Sequence, residues 1–188
     1  TDGDYNVITV LEVDDESNKT IVHVDRAKNV QFRENIEKIR LIGKIFQPEV
    51  VLYETNTFAK AFTQELRSIS DLNVKDFDTT RKKKQEIILN LQMNIENGKL
   101  NFPYGDNASR RLTNLLIEEL SMFSITESGR FEGVGAHDDL VMSLALANAA
   151  TQAPGENFIL LDDMDLFDTA PTSPVGSGIP PGILGLNL

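Results

Sequence analysis

Apolar and polar residues alternate over Asn6 to Val13 (NVITVLEV), a stretch rich in β-branched side chains. Period two predicts a half-buried strand. Thr20 to Val24 (TIVHV) repeats the pattern beyond the turn-forming DDESNK, so the two runs are predicted to pair as a hairpin. The period then changes. Phe32, Ile36, Ile39, Ile42 and Phe46 recur at three- and four-residue intervals, which predicts an amphipathic helix over Phe32 to Phe46, ended by Pro48. The continuous apolar run from Glu49 to Glu54 (EVVLYE) suits a buried central strand. Thr57 to Ser68 reads as a helix and Asn73 to Phe77 as a short strand.

The second half continues the alternation of elements. Thr80 is a candidate cap for a helix whose face carries Ile88, Leu91 and Ile95, and Gly98 is its stop. A short strand follows in KLNFP. Next comes a helix from about Ser109 to Phe123, with Leu112, Leu115, Leu116 and Leu120 inward. FSITESGRFEGV reads as a hairpin around Ser128-Gly129, and the last helix runs from Asp138 to about Ala150. Hairpin, helix, strand, helix, strand, helix, hairpin, helix is the order of an α/β fold: a mixed β-sheet flanked by helices. From about Ala153 prolines and glycines accumulate in PTSPVGSGIPPGILG, a poor core former. The expected division is therefore a domain over residues 1–152 and an acidic, Pro/Gly-rich tail over residues 153–188. Within that tail NFILLDDMDLF mixes apolar anchors with acids and is a candidate docking segment.

Composition refines this picture at three points. There is no cysteine, which excludes disulfides and thiolate metal sites. No stretch is long and apolar enough to span a bilayer, and no basic-then-apolar signal opens the chain, so a cytosolic protein with no membrane partner is expected. The formal net charge is −11, which by itself argues against a general nucleic-acid binder. The charge is uneven, however. No Lys or Arg follows Thr151, whereas Glu156, Asp162, Asp163, Asp165 and Asp168 do, so the folded part is less acidic than the total.

Three acidic positions stand where a site would want them. Glu54 ends an apolar strand, Asp138 and Asp139 open a helix behind GVGAH, and Asp4 precedes the first strand. Carboxylates gathered from distant segments hold two divalent ions about 3.5–4 Å apart in sites for in-line phosphoryl displacement. Position alone also allows plainer roles. An aspartate at a helix start is a cap, and a strand-end glutamate is the first solvated residue. His137 is a metal ligand, a supporting donor or a loop residue, while His23 on an alternating strand is structural. Arg81, Lys82, Lys83 and Lys84 open a helix, where cations oppose the macrodipole. Phosphate binding would explain that placement, and so would an exposed polar face. Arg110 and Arg111 form a second candidate patch.

In their order, VVLYETN, TTRKKKQEIILNLQMNIENGKLNFP and GAHDDLVMSLALA resemble the C-terminal nuclease domain of the large terminase subunit of tailed bacteriophages. GDYNVITVLEVD is similar to that family's second strand, and the likeness covers roughly residues 2 to 150. The resemblance implies a ribonuclease-H-like fold and a metal-dependent endonuclease that cuts concatemeric double-stranded DNA during packaging in the host cell cytoplasm. It implies Mg²⁺ or Mn²⁺ in a two-metal site held by Glu54 and Asp138, with Asp139 as a neighbouring ligand and Asp4 as an auxiliary one. Glu54, Asp138 and Asp139 are then catalytic, and Arg81, Lys82, Lys83, Lys84, Arg110 and Arg111 bind DNA. The implied partners are the terminase ATPase domain, the small terminase subunit and the portal or procapsid. The family's first catalytic aspartate sits on a strand before GDY, which these residues do not include. Asp2 is the nearest acid, and the neighbours of that strand are expected to show unpaired edges. No GxxxxGK[ST] motif is present, so ATP hydrolysis is not expected. The alternatives are a catalytically incomplete docking module for portal or procapsid, or another ribonuclease-H-like nuclease such as a junction resolvase.

Overall fold

The computed structural model describes residues 5–55, 59–125, 131–133 and 138–152, with the backbone alone for residues 55, 59, 123–125 and 131–133. Asp2, Asp4, His137, the Ser128-Gly129 turn, the NFILLDDMDLF segment and the rest of the tail lie outside the described residues.

The chain order is β1 (Tyr5–Val13), β2 (Lys19–Lys28), α1 (Phe32–Phe46), β3 (Val51–Thr55), α2 (Ala59–Ile69), β4 (Val74–Asp78), α3 (Arg81–Glu96), β5 (Leu100–Asn101), α4 (Asn107–Met122), β6 (Phe123–Ile125), β7 (Phe131–Gly133) and α5 (Asp139–Ala150). The types and order follow the hydrophobic pattern. Gly98 lies beyond α3 with φ +64°, the left-handed conformation a helix stop requires.

Two differences stand out. β2 continues four residues past Val24, with Tyr5 opposite Lys28 and Val7 opposite Arg26. Asp25, Arg26 and Lys28 break the apolar alternation, but each finds a partner: Lys38 for Asp25 at 2.7 Å, Glu119 for Arg26 and the Tyr5 ring for Lys28. Second, Leu115 on α4 faces outward, 40 % exposed, while Thr113 and Leu116 are buried. Leu116 lies inward as expected and Leu112 and Leu120 are partly buried, so the expected stripe of α4 fails only at Leu115, and the inward face also takes in Thr113 and Glu119.

β1 pairs antiparallel with β2, and β2 pairs parallel with β5. β3 and β4 form a second, parallel ladder with α2 as its crossover. Among the described residues β1 and β3 share no ladder, yet both pack against α5. Helices cover both faces of the strands. Ile8, Val51 and Tyr53 pack against Ile36, Ile39, Phe62 and Leu66 of α1 and α2. The next residues along β1 turn to the other face, where the Thr9 and Ser143 hydroxyls meet at 2.9 Å and Ser143 donates to the Val7 carbonyl. α5 is apolar on all sides, with Leu140, Val141, Leu144 and Ala145 nearly inaccessible. Such a helix must be covered all round. It lies against α3, β1, β3 and α4.

Candidate active site

The site begins at the N-terminus of α5. Asp138 occupies the capping position, with φ −126° and ψ 15°, but its side chain makes no capping bond. Its Oδ2 instead accepts from Lys84 Nζ at 2.9 Å. Asp139 is the first helical residue, and its Oδ2 accepts from the backbone N–H of Tyr5 at 3.0 Å. Two adjacent carboxylates repel each other, and these partners offset the repulsion: an ammonium from α3 on one, an amide from β1 on the other. The plainer reading, an aspartate that caps its own helix, is therefore corrected for Asp138. The first-turn donor, Leu140 N–H, bonds to Glu119 Oε2 at 2.9 Å, from α4.

Glu119 is the residue that the sequence reading missed. Its side chain is only 11 % exposed, and its Oε1 stands 3.4 Å from Arg26 Nη2. Burial raises its carboxyl above the usual range and Asp139 adds to that, while the Leu140 N–H and Arg26 pull the other way. Arg26 in turn lies over the Tyr5 ring, 3.5 Å from its centroid. Tyr5 thus joins the Arg26–Glu119 pair to Asp139 through its ring on one side and its backbone N–H on the other.

Glu54 is the penultimate residue of β3, one short of the strand end the sequence suggested, and its side chain is exposed. Since Val51 and Tyr53 pack toward α1 and α2, alternation turns Leu52 and Glu54 to the opposite face, the one that carries α5 along β1. Tyr53 is held above the usual phenol range by burial and by the Glu54 charge.

The basic residues separate into different settings. Lys84 is half-buried and belongs to the aspartate pair. Arg81, Lys82 and Lys83 are exposed on the first turn of α3, with the Lys83 ammonium 5.9 Å from the Phe77 ring centroid. Arg110 is turned to its own loop, donating to the carbonyls of Tyr104 and Gly105, and Arg111 is exposed.

Carboxylate oxygens are hard donors suited to Mg²⁺ or Mn²⁺. Asp138 and Asp139 supply two such carboxylates from neighbouring positions in the chain, so the donor chemistry fits such an ion. Among the described residues no three His, Asp or Glu side chains converge closely enough to hold one unaided. Asp4 and His137 lie outside that set.

No family model matches the chain, and no curated protein does. Solved structures do. The large terminase nuclease from thermophilic phage G20c superposes with a TM-score of 0.63 at 25% identity, over 79% of this chain and 76% of that one. The same nuclease with bound magnesium gives 0.63 at 25% identity, over 78% and 74%. With bound cobalt it gives 0.58 at 20% identity, over 78% and 81%. The mixed strands, the flanking helices and this likeness agree: the chain has the ribonuclease-H-like fold and is similar in structure to a large terminase nuclease domain.

Proposed function

We propose that this domain is a divalent-metal-dependent endonuclease that cuts double-stranded DNA as part of a viral packaging terminase. The observation that carries the reading is the aspartate pair at α5, whose carboxylates are not spent on capping their own helix. The supporting likeness is to a nuclease of known structure that binds magnesium.

Asp138 and Asp139 would hold Mg²⁺ or Mn²⁺, with Glu54 and Asp4 as the further donors of a two-metal site. A bound divalent ion supplies charge neutralisation at the scissile phosphate and lowers the pKa of the attacking water. The chain's own residues do the rest. The Tyr5 N–H fixes the orientation of Asp139, and Lys84 fixes that of Asp138. Arg81, Lys82 and Lys83 lie further along α3, past Lys84 toward its N-terminus, where exposed cations contact phosphates without reading sequence. Arg110 and Arg111 extend the contact to α4. Residues 1–152 form the nuclease unit and residues 153–188 a tail. The ATPase domain, small subunit and portal or procapsid are its partners, in the host cytoplasm. No helix among the described residues is long and apolar enough to cross a membrane.

The test is cleavage of supercoiled plasmid with Mn²⁺, with Mg²⁺ and with EDTA, beside Asp138→Ala. Metal-dependent nicking that disappears in the variant is the expected result. Cleavage that survives both EDTA and the substitution overturns the reading.

A further inference from the structure

We infer that Glu119 is a positioning residue for the Asp138–Asp139 pair: it replaces the cap of α5, so both aspartates keep their carboxylates for an ion. The inference rests on the reading of the site as a metal centre.

A helix start leaves N–H groups without intrahelical acceptors, and the residue at the capping position ordinarily supplies one through its own side chain. Asp138 has the right chemistry and the right position for this, and it does not do it. The bond that a cap would make to Leu140 N–H is made by Glu119, 21 residues upstream on another helix. Its second oxygen is held by Arg26, the guanidinium of Arg26 lies over Tyr5, and the Tyr5 N–H holds Asp139. Four side chains and backbone groups from α4, β2, β1 and α5 thus close a ring around the first turn of α5. Removing Glu119 leaves Leu140 N–H in need of an acceptor, and Asp138 is the nearest residue built to provide one. Once Asp138 turns inward to cap, one of the two adjacent carboxylates is withdrawn from the site.

The experiment compares wild type, Glu119→Ala, Glu119→Gln and Glu118→Ala. The last removes the same charge from the exposed side of the same helix. Mn²⁺ affinity is read by paramagnetic titration of the folded proteins, and exchange of the Leu140 amide by NMR. Glu119→Ala is expected to weaken Mn²⁺ binding by about 10- to 100-fold, the range for partners that orient metal ligands. Glu119→Gln retains an oxygen for Leu140 N–H and is expected to fall between, and Glu118→Ala to match wild type. Wild-type Mn²⁺ affinity in a folded Glu119→Ala overturns the inference, whatever its melting temperature.

If wild type takes up no Mn²⁺, the proposed function fails, and the inference is decided on the amide alone. Asp138→Ala should leave Leu140 exchange unchanged when Glu119 is present and accelerate it when Glu119 is alanine. Equal effects in both backgrounds overturn the inference.

Discussion

Two helices of this domain start with an aspartate at the capping position, and the two aspartates behave differently. Before α4, Asp106 does what its position predicts. Its Oδ1 accepts from Ala108 and Ser109 N–H at 2.7 and 3.0 Å, and its own N–H donates to Ser109 Oγ. Before α5, Asp138 leaves the helix uncapped from its own side and reaches to Lys84 instead, while a glutamate from α4 supplies the bond. Both satisfy the same physical demand, that early helical N–H groups find an acceptor. The contrast shows where the chain has freed a carboxylate for other work. An aspartate that caps is explained by its helix, whereas one relieved of capping needs another explanation.

The contrast predicts a double dissociation, and its largest limb is Asp138→Ala. Cleavage should fall by more than about 100-fold, since losing a ligand exceeds the loss expected for an outer partner. The melting temperature should stay within about 2 °C of wild type, because no cap is removed and a partly exposed ion pair contributes little. A large drop in melting temperature, measured by calorimetry, would place Asp138 back among ordinary caps. Asp139→Ala is expected to lose both properties. It removes a proposed ligand and also strips the Tyr5 N–H of its acceptor, at a cost of about 1 kcal/mol. Denaturant unfolding beside the cleavage assay separates the two losses. Asparagine, which keeps one carbonyl oxygen for Tyr5, should restore part of the stability and none of the cleavage.

How far the sequence exposes this arrangement depends on whether a residue acts through its own element. The bounds of α1 are legible because Phe32, Ile36, Ile39 and Phe46 keep one face, and Thr80 reads as a cap because caps act within a few residues. Asp138 and Asp139 are legible as a candidate pair for the same local reason. Arg26 and Glu119 are not. Arg26 lies on an extension of β2 that no apolar alternation marks, and the strand persists there because partners on α4 and β1 satisfy its charge. Glu119 reads as one more solvated acid on an amphipathic helix. Its only local sign is its spacing, three residues after the buried Leu116. Position 119 falls on the face that Leu112, Leu115 and Leu116 define, but one acid among leucines does not show which partner it meets. Only the fold brings Arg26 and the Leu140 N–H to that position and shows what the carboxylate does there.

Asp106→Ala supplies the other limb of the dissociation. It should lower the melting temperature by about 3 °C and leave cleavage and Mn²⁺ affinity at wild-type levels. Its pH dependence follows from the bonds it accepts. The Ser109 and Ala108 N–H groups hold the carboxyl below its ordinary value of 3.8. As pH falls, the unfolded chain therefore takes up this proton before the folded one, and stability falls with it. The contribution is complete above about pH 4 and is lost as pH drops through the folded value. The gap in melting temperature between wild type and Asp106→Ala should accordingly be full at pH 6 and narrow below pH 4.

The smallest effect belongs to the third helix start. Thr80 caps α3 through a longer bond, 3.3 Å from Lys83 N–H to its Oγ1, on an exposed turn crowded with cations. Thr80→Ala is expected to cost about 0.5 kcal/mol, at the low end for caps. The position of Lys84 gives this small change a use. Lys84 stands on the first turn of α3 and donates to Asp138, so fraying of that turn would reach the aspartate pair, whereas fraying of the first turn of α4, about three turns before Glu119, would not. A matched comparison of Thr80→Ala and Asp106→Ala should therefore run opposite to their stabilities. Asp106→Ala destabilises more, yet Thr80→Ala should lower cleavage more, by about twofold or less. If both leave cleavage equal, Lys84 holds its place without its own helix start, and the coupling between that cap and the site is absent.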